Sequence, residues 1–386
     1  MTPAFSVFIP VWNDAEWLGG AIESVRAQTY PHWELVIGDN DSNDDLRALV
    51  AAYPDPRIRY KHWRTHVDTY SNFNRTALLC DYDWLQLLSA DDRLHPACLE
   101  RMASRITAPA VSGRRLALVV TACRRVTPEG TPAERRYYGS QRVKRGCDGR
   151  YTARSWLKLL AEPGMPEWNI GSIAVARDVL AEMGGFFRPE VGLCSDHDFT
   201  LRAAAYGDVA YISAPLLEYT VRGRSDGNQR FMQNRTSGEA STPMGAALLS
   251  GLATHRSRRP VAPAEQRMVR AAVARSHLQR AGQHRILPGG RGRRGAVADV
   301  ARAVVCSPRT LLSPELLLTA AASVVAPRVA VRWGSAALAW RRGREHERAA
   351  QAGPIPGATA AAQKQPALNG ACSAPAGAPS ARAARC

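Results

Sequence analysis

The first half of the chain alternates between apolar runs and stretches whose apolar residues recur with helical spacing. "FSVFIPV" (5–11) reads as a buried strand, and "DAEWLGGAIESVRAQ" (14–28) as a helix through Trp17, Leu18, Ile22 and Val25 with an acidic first turn. The same logic gives strands at 33–39, 57–63 and 83–89, with helices at 44–53 and 70–80 between them. Further along, 116–127 reads as a strand and 128–150 as an Arg/Gly-rich loop. Residues 170–186 read as strand, short helix and Gly-Gly stop, 195–207 as a helix ending at Gly207, and 208–221 as a strand pair or bent strand.

Strands alternating with helices imply βαβ units and an α/β fold with a mostly parallel central sheet. In such sheets ligands sit beyond the carboxyl ends of the strands. Three strands end in polar residues there: Asn13 and Asp14; Asp39, Asn40 and Asp41; Asp91 and Asp92. Turn formation and helix capping are the ordinary uses of such residues, and Asp92 is expected to serve the turn before a helix starting at Pro96.

The pattern changes after about residue 235. An Arg-rich amphipathic helix is expected at 265–282, and "PGGRGRRG" (288–295) reads as a linker. The apolar stretch 314–333 is broken by Pro327 and Arg328, which leaves it short of the roughly 20 residues that span a bilayer. From 351 onward Ala, Pro and Gly dominate and disorder is expected. The expected division is therefore 1–235, a basic and mostly helical extension at 236–350, and a tail at 351–386.

Charge sharpens that division. The 386 residues carry a formal net charge of +17. Residues 1–244 hold 29 Lys+Arg against 29 Asp+Glu, whereas residues 245–386 hold 22 against 5. The basic extension suits an anionic membrane surface through its helix. Nucleic acid is the weaker partner, because the front body is neutral and no nucleic-acid motif is present. The eight cysteines show no CxxC pair, which fits reduced thiols. The N-terminus reads as a strand rather than a signal peptide. A cytoplasmic chain, peripheral at the inner face of the membrane, is the expected location.

"VFIPVWND" (7–14), "VIGDNDSND" (36–44), "LLSADDRLHP" (87–96), "GSIAVARDVLAEMGGF" (171–186) and "VGLCSDHDFTLRAAAYGDVAYI" (191–212) occur in this order. Together they resemble the family 2 glycosyltransferases, over about residues 5–225. The resemblance implies a GT-A fold and inverting transfer of a sugar from a nucleotide-sugar, with UDP-sugars favoured, to a glycan or polyprenyl-linked acceptor in cell-surface polysaccharide synthesis. It implies a donor site from Pro10, Trp12, Asp14, Asp39, Asn74, Ser89, Ala90, Asp91 and Arg222. Within it, Trp12 would stack on the base and Asp39 would accept a base N–H. Asp91 would hold Mg²⁺ or Mn²⁺, whose Lewis acidity helps the nucleoside diphosphate leave. Asp196 would be the general base. Trp168, Gly171 and Ser172 would lie towards the acceptor.

Several residues depart from the family pattern. Ser89 stands where the first Asp of D-x-D belongs, Phe73 for an Arg, Ser195 for an acid, and Arg222 for a His that can join the metal site. Fewer metal ligands are therefore expected, with Arg222 or Arg224 pairing with the diphosphate in part compensation. A degenerate nucleotide-sugar-binding protein without transfer activity is the alternative these departures favour.

Overall fold

Strand β1 (Phe5–Val11) has all seven residues buried, as expected of a strand covered on both faces. In the computed structural model it is followed by α1 (Ala15–Arg26), β2 (Trp33–Asp39), α2 (Leu46–Ala51), β3 (Ile58–His62), α3 (Thr69–Ala77), β4 (Trp84–Leu87), β5 (Arg93–Leu94), α4 (Cys98–Thr107) and β6 (Leu116–Val126). Next come β7 (Val143–Lys144), β8 (Gly149–Tyr151), α5 (Ala153–Ala161), β9 (Met165–Pro166), a 3-10 turn (Ile170–Ser172), β10 (Ile173–Ala176), α6 (Arg177–Met183), α7 (Ser195–Ala204) and β11 (Asp208–Thr220). Helices α8 (Pro243–Arg258), α9 (Pro263–Ile286) and α10 (Gly292–Cys306) follow among the described residues.

The structure describes residues 2–109, 113–132, 143–144, 148–161, 165–166, 168–188, 195–222, 243–286 and 292–308. These fall within one compact unit, Met1–Pro327. The apolar stretch at 314–333, the Ala/Pro/Gly tail, Arg224 and most of the loop expected at 128–150 lie outside the described residues.

The main sheet runs β3-β2-β1-β4-β10-β6-β11-β5, with β8 also paired to β11. Its first four strands are parallel, as the alternating pattern implies. Beyond β4 the sheet is mixed: β10 is antiparallel to both β4 and β6, while β6 and β11 run parallel. The segment at 208–221 is one bent strand, with register shifts at Ile212/Pro215 and Pro215/Leu217.

Pro10 sits in the middle of this sheet and shows how the cleft opens. Phe8 presents its carbonyl to the β4 side, where Leu88 N–H donates to it. Pro10 has the same parity, so its missing donor faces the same side, past the last β1–β4 pair at Phe8 and Leu87. No ladder bond is lost, and the chain beyond β4 is released to carry Asp91. On the other flank Gly38, opposite Pro10, admits α3 closely; a Cβ there would run into Thr76 and Trp63.

Helix α7 is fixed to the sheet by aromatic packing. Phe199 stacks on Phe186 at 4.8 Å, and Phe186 meets Phe8 of β1 edge-to-face at 5.2 Å. Within α7, Asp198 and Arg202 form a fully buried ion pair at 2.7 Å, and Arg202 also donates to the Phe186 carbonyl. On the outer side, Gly251 of α8 lets that helix approach Leu201 closely, and His255 Nε2 lies 2.9 Å from the Leu201 carbonyl. Leu248 and Leu252 of α8 and Val269, Ala272 and Val273 of α9 share the buried core with the sheet. Among the described residues no helix is long and apolar enough to cross a membrane.

Breaking a buried pair leaves an uncompensated charge. Arg202→Met is expected to lower the unfolding free energy by about 3–5 kcal/mol, read from the urea midpoint. A loss below about 1 kcal/mol would contradict the role given to this pair.

Candidate active site

The carboxyl ends of β2, β1 and β4 lie side by side, and two loops above them are tied together. Asn13 and Asp41 both take left-handed backbone conformations, φ 52° and 64°, which Asn and Asp tolerate better than most residues. Asn13 N–H donates to Ser42 Oγ at 3.0 Å, and Asn43 N–H donates to Asn13 Oδ1 at 2.7 Å. Asp44 Oδ2 accepts from Ala15 N–H at 3.1 Å, so the neighbouring loop caps α1. Asp14, the N-cap residue itself, makes no side-chain capping bond. Its carboxylate is turned to a different partner.

That partner is Arg222, two residues past the end of β11. Arg222 Nη1 donates to Asp14 Oδ1 at 2.8 Å, and its Nε lies 2.6 Å from Asp91 Oδ2. The side chains are partly withdrawn from solvent: 26% exposed for Asp14 and Arg222, 13% for Asp91. Burial raises the Asp91 pKa above the ordinary carboxylate value despite the opposing charge of Arg222.

Asp92 closes the turn from Ser89 through its backbone N–H, as expected, but its side chain does not start the next helix. Helix α4 begins at Cys98 with Ala97 as its N-cap and no side-chain capping bond. Asp92 is instead fully buried, and its Oδ1 accepts the Thr220 backbone N–H at 2.9 Å. This bond ties the end of β11 to the chain beyond β4 and so brings Arg222 to Asp91. Burial, reinforced by the adjacent Asp91 charge, holds the Asp92 pKa well above its ordinary value. Gly171 lies against the second Asp92 oxygen, and its carbonyl accepts from Gln86 Nε2 at 3.1 Å.

Asp39, 1% exposed, is surrounded by donors. Tyr60 O–H donates to its Oδ2 at 2.5 Å, His62 Nδ1 lies 3.0 Å from the same atom, and Ser42 N–H donates to Oδ1 at 3.0 Å. Burial works against ionisation, but these hydrogen bonds outweigh it and the Asp39 pKa is lowered. Tyr60 and His62 were absent from the sequence-based site. Their signal was the two-residue period of β3, which puts both on one face, with His62 directly opposite Asp39 in the register. Trp12 is 45% exposed beside His66, ring centroids 4.7 Å apart, leaving an aromatic surface open near these loops.

Asp196 sits in the first turn of α7 with its side chain 23% exposed. Its Oδ1 accepts the His197 N–H at 2.8 Å and lies 2.7 Å from His197 Nδ1. Burial would raise its pKa, but the His197 charge and these hydrogen bonds hold it below the usual carboxylate value.

The remaining expected site residues have mainly internal contacts. Asn74 Oδ1 accepts from Phe186 N–H and Phe187 N–H at 2.9 and 3.2 Å, which pins α3 to the turn after α6. Ala90 is buried, and the Ser89 carbonyl accepts from Asp92 N–H at 3.2 Å. Trp168, 4% exposed, stacks on Trp156 at 5.1 Å and meets Tyr211 edge-to-face, so it packs in the core. Gly171 and Ser172 are buried in the 3-10 turn, where Ser172 and Asn169 form a reciprocal capping box.

Among the described residues no three His, Cys, Asp or Glu side chains come together to hold a divalent ion. The two carboxylates that converge, Asp14 and Asp91, are both taken by Arg222, and position 89 supplies a hydroxyl rather than a carboxylate. A hard cation at a diphosphate draws on one or two carboxylates together with phosphate oxygens and water, and with both of these carboxylates held by a guanidinium the arrangement does not fit one.

The parallel strands with acidic ends define an α/β domain whose candidate ligand edge is the carboxyl end of the sheet. Residues 6–143, which carry Asp14, Asp39 and Asp91, match the family model Glycosyl transferase family 2. An uncharacterized protein of Mycobacterium tuberculosis, MT1568, is 26% identical over 213 residues, covering 54% of this chain and 65% of that protein. The putative colanic acid biosynthesis glycosyl transferase WcaA of Escherichia coli is 31% identical over 96 residues, 24% of this chain and 34% of that one. The chain thus spans less than two thirds of these relatives. The solved mannosyltransferase PcManGT of Pyrobaculum calidifontis, in complex with GDP-Man and Mn²⁺, superposes with a TM-score of 0.50 at 16% identity, covering 87% of this chain and 84% of that one. The fold is GT-A.

The raised Asp92 pKa makes a pH prediction. Between the unfolded value and the higher folded one, the folded state binds more protons, so Asp92 makes stability fall as pH rises through that window. Asp92→Asn keeps the acceptor for Thr220 N–H and removes the titration. The stability of the variant is expected to decline less from pH 4 to 7 than that of the parent, measured by urea unfolding at each pH. Parallel profiles would contradict the assignment.

Proposed function

We propose that the protein transfers a sugar from a nucleoside diphosphate sugar to a hydroxyl of a glycan or lipid-linked acceptor in cell-surface polysaccharide synthesis. The observation that carries this reading is the gathering of Asp39, Asp14 and Asp91 at the carboxyl edge of three parallel strands in a family 2 domain. Support comes also from the relative described as acting in colanic acid biosynthesis and from the neighbour solved with GDP-Man.

In this reading the base lies by Trp12 and the Asp39 pocket, and the diphosphate lies over Asp91 and Arg222. Asp196 takes the proton from the acceptor hydroxyl while that oxygen bonds to the anomeric carbon. The bond from that carbon to the diphosphate oxygen breaks in the same displacement, so the configuration inverts. Hydrogen bonds from His197 keep Asp196 ionised and oriented for this task. The divalent ion common in the family would bring Lewis acidity to the leaving group. The carboxylates here are engaged by Arg222. The basic helix α9 and the segments beyond it are proposed to meet an anionic membrane surface, in a cytoplasmic protein peripheral to the inner face.

A panel of UDP- and GDP-sugars, assayed for release of the nucleoside diphosphate, tests the reaction class. Asp196→Asn is expected to lower turnover on the accepted donor about 10²–10⁴-fold while leaving donor binding within about twofold. Full turnover in this variant would remove Asp196 as the base.

A further inference from the structure

The structure assigns the cation of the donor pocket to the protein itself: we propose that the Arg222 guanidinium, rather than a divalent metal ion, meets the diphosphate of the donor. This rests on the glycosyl-transfer reading above and deepens it. Three independent features converge on it.

The first is occupancy of the carboxylates. Arg222 engages Asp91 Oδ2 at 2.6 Å and Asp14 Oδ1 at 2.8 Å. A metal ion drawing on these oxygens would have to displace a guanidinium from both. The second is placement. The bond from Thr220 N–H to the buried Asp92, and that from Val221 N–H to the Val126 carbonyl, fix the backbone on the N-terminal side of Arg222. The guanidinium also lies against the Trp17 ring, 5.5 Å from its centroid. It is thus held by two carboxylates, an aromatic ring and an anchored backbone, which makes it a built feature of the site. The third is the ligand deficit. Ser89 stands where the family pattern has a carboxylate two residues before Asp91, and Asp92 Oδ1 is taken by the Thr220 N–H.

The chemistry matches the task. A guanidinium is planar and permanently charged, and its fork of N–H donors pairs with two phosphate oxygens at once. Asp14 and Asp91 hold that fork at the strand ends before the donor arrives. Diphosphate oxygens then share or replace the carboxylates as partners of Arg222. The same positive charge faces the charge that develops on the leaving diphosphate.

Isothermal titration of the full chain with UDP and with GDP, each in EDTA and in Mn²⁺, tests the proposal. The nucleotide that binds is expected to do so with a Kd that changes less than threefold between EDTA and Mn²⁺, and Arg222→Gln is expected to weaken it at least tenfold in EDTA. A second measurement does not depend on the variant folding: Mn²⁺ titrated into the parent chain alone, followed by electron paramagnetic resonance, is expected to remain free. Arg222→His is expected to gain Mn²⁺ binding. Nucleotide binding that needs Mn²⁺, or tight Mn²⁺ binding by the parent, would overturn the role of Arg222 while leaving the glycosyl-transfer reading intact. Binding of neither nucleotide under either condition would overturn both.

Discussion

A single guanidinium between two carboxylates organises the active edge of this fold. Two acids in one half-buried cleft repel each other and lose hydration, so Asp14 and Asp91 need a counter-charge to coexist there. Arg222 supplies it from 208 residues further along the chain than Asp14. Its arrival depends on elements that otherwise look unrelated. The bend in β11, the buried Asp92 that accepts Thr220 N–H, and the end of the β1–β4 ladder at Pro10 all act to bring three loops to one point.

The base-side pocket and the proposed catalytic helix follow the same economy. Asp39 is fixed by donors from β3 and from its own loop, and the left-handed residues Asn13 and Asp41 let that loop lock to its neighbour. Asp196 stands at the end of a helix anchored to β1 through Phe199, Phe186 and Phe8, with the buried Asp198–Arg202 pair one turn below. In each case a rigid element carries the acid and a neighbouring element sets its charge.

Much of this was legible in the sequence because the front half keeps clean periods. The four parallel strands and their helices fall where alternating blocks put them, and the polar residues at three strand ends marked the site. Short elements escaped: β5 and β8, two and three residues long, have too few positions to show a period. Pairings across the chain escaped as well. Nothing local distinguishes Asp92 from a capping residue, since its burial is decided by β11, and Trp168 is buried by Trp156 and Tyr211 from other elements. Arg222 was noticed as a departure from a pattern, but its grip on two carboxylates is a property of the assembled sheet.

A crystal structure of the chain with a nucleoside diphosphate bound in the presence of EDTA shows which group meets the phosphates. Phosphate oxygens are expected within hydrogen-bonding distance of the Arg222 guanidinium, at the ends of β1 and β4. A diphosphate seated away from Arg222 and Asp91 would contradict this role of the guanidinium.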